Sequence, residues 1–146
     1  MTENTNTLDK KIITFIKKHH LLTLATSNNN IPYCASCFYV YDEELNEFAI
    51  TTDDTTRHGA EMLTNNNVSC CISLETLIVG KIQGLQITAT SYKPDEEKNK
   101  HFKKLYIKKF PVAAFTNLNL WILKPNFIKM THNQLGFGKK LIWFRS

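Results

Sequence analysis

The run Ile31-Pro-Tyr-Cys-Ala-Ser-Cys-Phe-Tyr-Val-Tyr41 is β-branched and aromatic along its length and carries no helix-start signal. It reads as a strand. That reading constrains its C-x-x-C, because strand positions three apart point to opposite faces. Cys34 and Cys37 therefore cannot share a metal, and the neighbours Cys70 and Cys71 also diverge. No second C-x-x-C and no H-x-x-x-H supplies further ligands. The expectation is no metal, with the cysteines packed as small apolar residues in a core. The first eleven residues are polar and lack the basic-then-apolar layout of a secretory leader. No apolar run approaches the roughly 20 residues of a membrane span. A cytoplasmic protein without structural disulfides is expected.

Around this strand, periodicity marks the remaining elements. Leu8, Ile12, Phe15, Ile16 and His19 recur at helical spacing, with Asn6 or Thr7 placed to cap. His20–Thr26 is strand-like and ends in a turn at 27–30, and Glu47–Thr52 follows a turn over Asp42–Asn46. These three strands suggest an antiparallel meander. Residues 53–63 read as a helix capped by Asp54 or Thr55, with Ala60 and Leu63 as its apolar stripe. Val68–Leu74 and Gly80–Tyr92 are strands, with Gly84 a bulge or close-approach point. Pro94–Phe110 is a helix with Pro94 at its first position and Phe102, Leu105, Tyr106 and Phe110 buried. One helical turn over Val112–Phe115 leads to strands at Leu118–Lys124 and Phe127–Thr131, broken by Pro125-Asn126. Leu141–Arg145 is a last strand. Six to eight strands with three inserted helices lack a βαβ rhythm. The fold expected is mainly β, an antiparallel barrel with flanking helices, formed by residues 1–146 as a single domain.

The net charge of +5 admits an anionic partner. The basic residues are sixteen Lys and two Arg, however, and six of the Lys lie between Lys98 and Lys109. A nucleic-acid reader favours Arg for bidentate contacts. The surplus reads as a solvated helix face plus a small-anion site, and no nucleic-acid or membrane partner is expected.

One of the two Arg falls in Ala49-Ile-Thr-Thr-Asp-Asp-Thr-Thr-Arg-His58. Here a strand delivers Thr51 and Thr52 to its end, and a helix begins among Thr55, Thr56, Arg57 and His58. Free backbone N–H groups, hydroxyls and a guanidinium suit a phosphate. Ordinary capping with Arg57 in solvent accounts for the same residues. A second candidate is Gly136-Phe-Gly-Lys-Lys140. Its glycines allow close backbone approach and its lysines offer anion contacts, although a tight hairpin would look the same. No organised acid–base set accompanies either segment, so the chemistry would fall to a cofactor.

Cys34-Ala-Ser-Cys-Phe-Tyr39, Thr56-Arg57-His58, Phe110-Pro111-Val112 and Leu135-Gly-Phe-Gly-Lys-Lys140 together resemble the pyridoxamine 5'-phosphate oxidase-like, FMN-binding split-barrel superfamily, and within it a small bacterial branch. The resemblance covers nearly the whole chain. It implies a six-stranded antiparallel split barrel that forms a homodimer with FMN in each interface cleft. It implies that the strand carrying Ser36 and Cys37 runs along the flavin ring. It further implies that Thr51, Thr52, Thr56, Arg57 and His58 hold the phosphate and that Lys140 faces the cofactor from the other side. The sequence departs from the oxidase pattern, with Cys34 where that pattern has Arg and His58 where it has Lys. Near the C-terminus, Gly138, Lys139 and Lys140 replace an Arg pair. The activity implied is a flavin-dependent oxidoreductase acting with a small-molecule electron donor or substrate. The alternatives are a non-catalytic flavin or electron carrier, and a haem-binding split barrel with His58 or His132 as axial ligand.

Overall fold

The computed structural model describes residues 7–146. Helix α1 spans Lys10–Lys18 and buries Ile12, Phe15 and Ile16. Its cap is Asp9, which accepts from Lys11 N at 2.7 Å, rather than Thr7. The other expected cap, Asn6, lies outside the described residues. Strands β1 (Leu21–Asn28) and β2 (Ile31–Asp42) are joined by Asn29-Asn30, with φ of 51° and 63°. Two consecutive left-handed residues define a tight hairpin whose twist matches its strands, and asparagine tolerates that region best among residues with side chains. Strand β3 (Glu47–Thr51) completes the antiparallel meander.

Helix α2 (Arg57–Thr64) starts later than its sequence suggests and is capped by Thr56, not by Asp54 or Thr55. The cap falls one residue after Thr55 and two after Asp54, and the buried face is not the expected one. Gly59, Glu61 and Met62 are buried, while Ala60 and Leu63 are exposed. Strand β4 is Asn67–Ser73, and β5 is Gln83–Tyr92, preceded by a 3-10 turn at Val79–Lys81 where a longer strand was expected. Gly84 is a close-approach point, since a Cβ there would lie 3.3 Å from Ile72 O. The bulge itself lies between Thr88 and Ala89. Helix α3 (Glu96–Lys109) is capped by Asp95, which leaves Pro94 ahead of the cap rather than at the first helical position. Phe102 and Tyr106 are its buried residues. A 3-10 turn over Pro111–Phe115 follows.

Strand β6 (Leu120–His132) is continuous through Pro125-Asn126. Asn126 falls outside the β5 register, where Ala89 pairs with Pro125 and Thr88 with Phe127. The expected break is thus absorbed as a bulge. Strand β7 (Lys140–Phe144) ends the chain's secondary structure.

Among the described residues the seven strands are all antiparallel, in the order β3-β2-β1-β4-β5-β6-β7, and β3 also pairs with β6. Six strands therefore form a closed ring, with β7 added outside it. Strand β6 supplies the split. Leu120–Leu123 pair with β3, whereas Phe127–Thr131 pair on the same edge with β7. The ring encloses one apolar cluster that includes Leu24, Tyr39, Phe48, Ile50, Ile72, Leu85 and Ile128. A second cluster lies between α3 and the outer face of β3 and β6, with Ala49, Phe102, Tyr106 and Ile122. Covering β3 on both faces explains why four consecutive residues, Glu47–Ile50, are buried. The buried Glu47 carboxylate accepts from Tyr92 Oη at 2.9 Å and Lys98 Nζ at 3.0 Å, which ties α3 to the barrel. Lys109 donates to His19 O and Tyr39 O, both at 3.0 Å. Two of the six α3-region lysines are therefore structural, and Lys100, Lys103, Lys104 and Lys108 form the solvated face. Among the described residues no helix is long and apolar enough to cross a membrane.

The cysteines divide as strand alternation requires, but only half of them join the core. Cys37 and Cys70 are buried and Cys34 and Cys71 are exposed. Burial pushes the Cys37 thiol up to about 11 and the Cys70 thiol up to about 12. A disulfide-exchange reagent at pH 8 should label Cys34 and Cys71 rapidly and the other two only after denaturation. Four equally fast thiols would mean the barrel is open at β2 and β4.

Candidate functional site

Where β3 leaves the ring, Thr52 N still bonds to Asn119 O at 3.0 Å, so the chain turns out of the sheet from a fixed point. Asp54 anchors the turn. Its Oδ1 accepts from Lys93 Nζ at 2.7 Å, Asn119 Nδ2 at 2.8 Å and Trp121 Nε1 at 3.1 Å. The Lys93 bond leads in holding its carboxyl below the usual range. Asp53 is likewise engaged, accepting from Thr55 N at 3.2 Å. Both carboxylates are thus used in building the turn.

Thr56 then starts α2. Its Oγ1 donates to Asp53 O at 2.7 Å and accepts from Gly59 N at 3.1 Å. Gly59 has no room for a side chain, since a Cβ would sit 2.3 Å from Asp53 O. Gly59→Ala must push the turn away from the helix. A loss of about 2 kcal/mol is expected, read as a lower urea midpoint with an unchanged slope. An unchanged midpoint would show that the turn is not held where the geometry puts it.

Within this frame Thr52, Thr56 and His58 converge. His58 Nε2 lies 2.5 Å from Thr52 Oγ1 and 3.5 Å from Thr56 Oγ1, and the two hydroxyls are 3.3 Å apart. Burial lowers the His58 pKa, partly offset by Glu61, so the ring is mainly neutral at pH 7. Arg57 is oriented from two sides. Its Nε donates to Glu61 Oε1 at 3.1 Å, and its guanidinium lies 4.2 Å from the centre of the Tyr33 ring. The buried Glu61 also accepts from Thr26 Oγ1 at 2.7 Å, and that bond leads in holding its carboxyl low. The sequence reading missed Glu61. A carboxylate four residues after an arginine was the available signal. The result is a half-buried hydroxyl–imidazole cluster beside a braced guanidinium at a helix start, which is a geometry that can take an oxyanion.

The other candidate residues are distributed differently. Thr51 is half-buried at the end of β3. Ser36 is exposed on the outer face of β2, and Cys37 points into the core, so only its backbone can meet a ligand. Lys140 is exposed and pairs with Thr131, whereas Thr51 pairs with Leu120. Leu120 and Thr131 are eleven positions apart on β6, roughly 36 Å of strand. One chain therefore keeps Lys140 at the opposite end of β6 from the Arg57 cluster. Trp121 and Trp143 are buried within the chain, while Val112 and Phe115 are 75% and 90% exposed.

The six-stranded ring split along β6 is a split-barrel fold. The fold matches a haem-binding protein of Mycobacterium smegmatis with a TM-score of 0.77 at 13% identity, covering 90% of this chain and 55% of that one. It matches a candidate pyridoxamine 5'-phosphate oxidase of Listeria innocua with a TM-score of 0.67 at 13% identity, covering 86% and 98%. An FAD-binding protein of Mesorhizobium loti matches with a TM-score of 0.68 at 10% identity, covering 84% and 93%. No protein-family model matches the chain. In sequence, the UPF0306 protein plu4501 of Photorhabdus laumondii is 36% identical over 131 residues, 90% of this chain and 92% of its own. A UPF0306 protein of Serratia proteamaculans is 35% identical over 143 residues, 98% and 99% of the two chains. The chain belongs to the UPF0306 family.

Proposed function

We propose that the chain is an FMN-binding flavoprotein acting as a homodimeric oxidoreductase, with the whole chain serving as one cofactor-binding domain. The observation that carries this reading is the braced Arg57 beside the Thr52–Thr56–His58 cluster. Thr51, Thr52, Thr56, Arg57 and His58 take the phosphate, the outer face of β2 at Ser36 and the Cys37 backbone borders the ring, and Lys140 comes from the second copy. The flavin, when bound, supplies hydride or electron transfer. The chain's residues bind and orient it.

The test is reconstitution. Purified protein titrated with FMN should give a saturable visible flavin band, and NADH or NADPH should bleach it. A flavin band without bleaching by any donor leaves a carrier, and no uptake rejects the reading. A haem-binding split barrel is the second reading, supported by the likeness to the mycobacterial haem-binding protein. His58 Nε2 is engaged by Thr52, whereas the His132 ring forms no hydrogen bond among the described residues and is the freer axial candidate. A Soret band on haem addition that His132→Ala removes would favour it.

The depressed His58 pKa sets the pH dependence of FMN binding. Protonation adds a positive charge beside the phosphate, so affinity should be higher well below the ordinary imidazole value of about 6.5 than well above it. Equal affinity in buffers on both sides of that value would remove His58 from the phosphate.

A further inference from the structure

At the end of the barrel away from Arg57, a second site is built from residues that the flavin reading does not use. A cavity of about 280 Å³ lies between α1 and the adjoining ends of β5 and β6. Its α1 wall carries Lys10, Lys11 and Lys18, and no carboxylate among the described residues lines it. The neighbouring Lys17 finds Glu43, but none of these three lysines forms an ion pair among the described residues. These exposed lysines lie along one side of α1 and give the cavity wall a positive potential that suits an anion. The floor is apolar, formed by the buried Phe15 and by Leu74. His132, the last residue of β6, also lines the cavity, and its ring forms no hydrogen bond among the described residues.

We propose that this cavity binds a small organic anion, with a carboxylate or phosphate head held by Lys10, Lys11, Lys18 and His132 and an apolar body set on Phe15 and Leu74. The volume suits a body of about one aromatic ring. The site is complete within one chain, so it depends neither on flavin nor on a second copy.

The test uses the full chain without cofactor, labelled with 15N, and follows the His132 imidazole. Phenyl phosphate and benzoate should each shift the His132 imidazole resonances saturably. Benzyl alcohol should not, and inorganic phosphate should bind at least about tenfold more weakly than phenyl phosphate. Lys11→Gln and Lys18→Gln should each weaken phenyl phosphate several-fold, whereas Lys103→Gln and Arg57→Ala should leave it unchanged. Equal shifts from benzyl alcohol would make the cavity apolar rather than anion-binding. Inorganic phosphate matching phenyl phosphate would mean an adventitious ion only. Loss of binding in Arg57→Ala would place the anion in the other cluster, and no shift with either organic anion would overturn the proposal outright.

Discussion

Arg57→Ala is expected to weaken FMN binding about a hundredfold. Hydrogen bonds from an ionised donor to phosphate contribute about 1.5–3 kcal/mol each in a protected site, and 1.4 kcal/mol is a factor of ten. Arg57 has a second advantage over a surface lysine, because Glu61 and Tyr33 already hold its guanidinium and little side-chain entropy is lost on binding. Arg57→Lys should recover only part of the affinity. A lysine can still reach Glu61, but it cannot present a planar fork or stack on Tyr33 in the same way. Lys103→Ala, which removes a charge from the solvated face of α3, should change affinity less than twofold. The measurement is fluorescence quenching of FMN at fixed ionic strength, with thermal unfolding run in parallel to confirm that Arg57→Ala is folded. Equal losses in Arg57→Ala and Lys103→Ala would mean that general charge, not this cluster, attracts the phosphate.

The barrel was legible because it rests on alternation. Cys34 and Cys37 separate to opposite sides of β2, and the early turns fall at asparagines that tolerate left-handed backbone. What failed is equally specific. Pro125-Asn126 looked like a strand break, but a bulge lets β6 pass from pairing with β3 to pairing with β7. Only the partner strand's register shows this. The start of α2 slipped because Asp53, Asp54, Thr55 and Thr56 are all competent caps. Tertiary bonds decided between them, since Lys93, Asn119 and Trp121 claim Asp54 and leave Thr56 to cap. The same slip hid Glu61, whose carboxylate counts as an exposed helix charge until Thr26 of β1 is seen against it. Of the site, the local cluster was readable. The separation of Lys140 from it was not, because that distance is a property of how β6 spans the sheet.

That separation predicts complementation between two defective chains. If Lys140 acts at the cofactor, it acts on the site of a second copy, because its own chain holds it at the far end of β6 from Thr51 and Arg57. Each site of a two-fold dimer then takes Arg57 from one chain and Lys140 from the other. Arg57→Ala homodimers lack the first residue at both sites, and Lys140→Ala homodimers lack the second. Co-expressed as differently tagged chains, the two variants form mixed dimers in which one site regains both residues and the other loses both. Tandem-tag purification should therefore recover about half of the wild-type FMN stoichiometry at near wild-type affinity, although neither parent binds well. Were both residues drawn from the same chain, no combination of the two variants would restore a site, and the mixed dimers would bind no better than their parents. A Lys140→Ala homodimer with wild-type affinity would remove Lys140 from the cofactor altogether. The exposed Val112 and Phe115 offer an independent check on the pairing, since charged residues there should shift the chain toward monomer and lower FMN affinity in step if they lie in that interface.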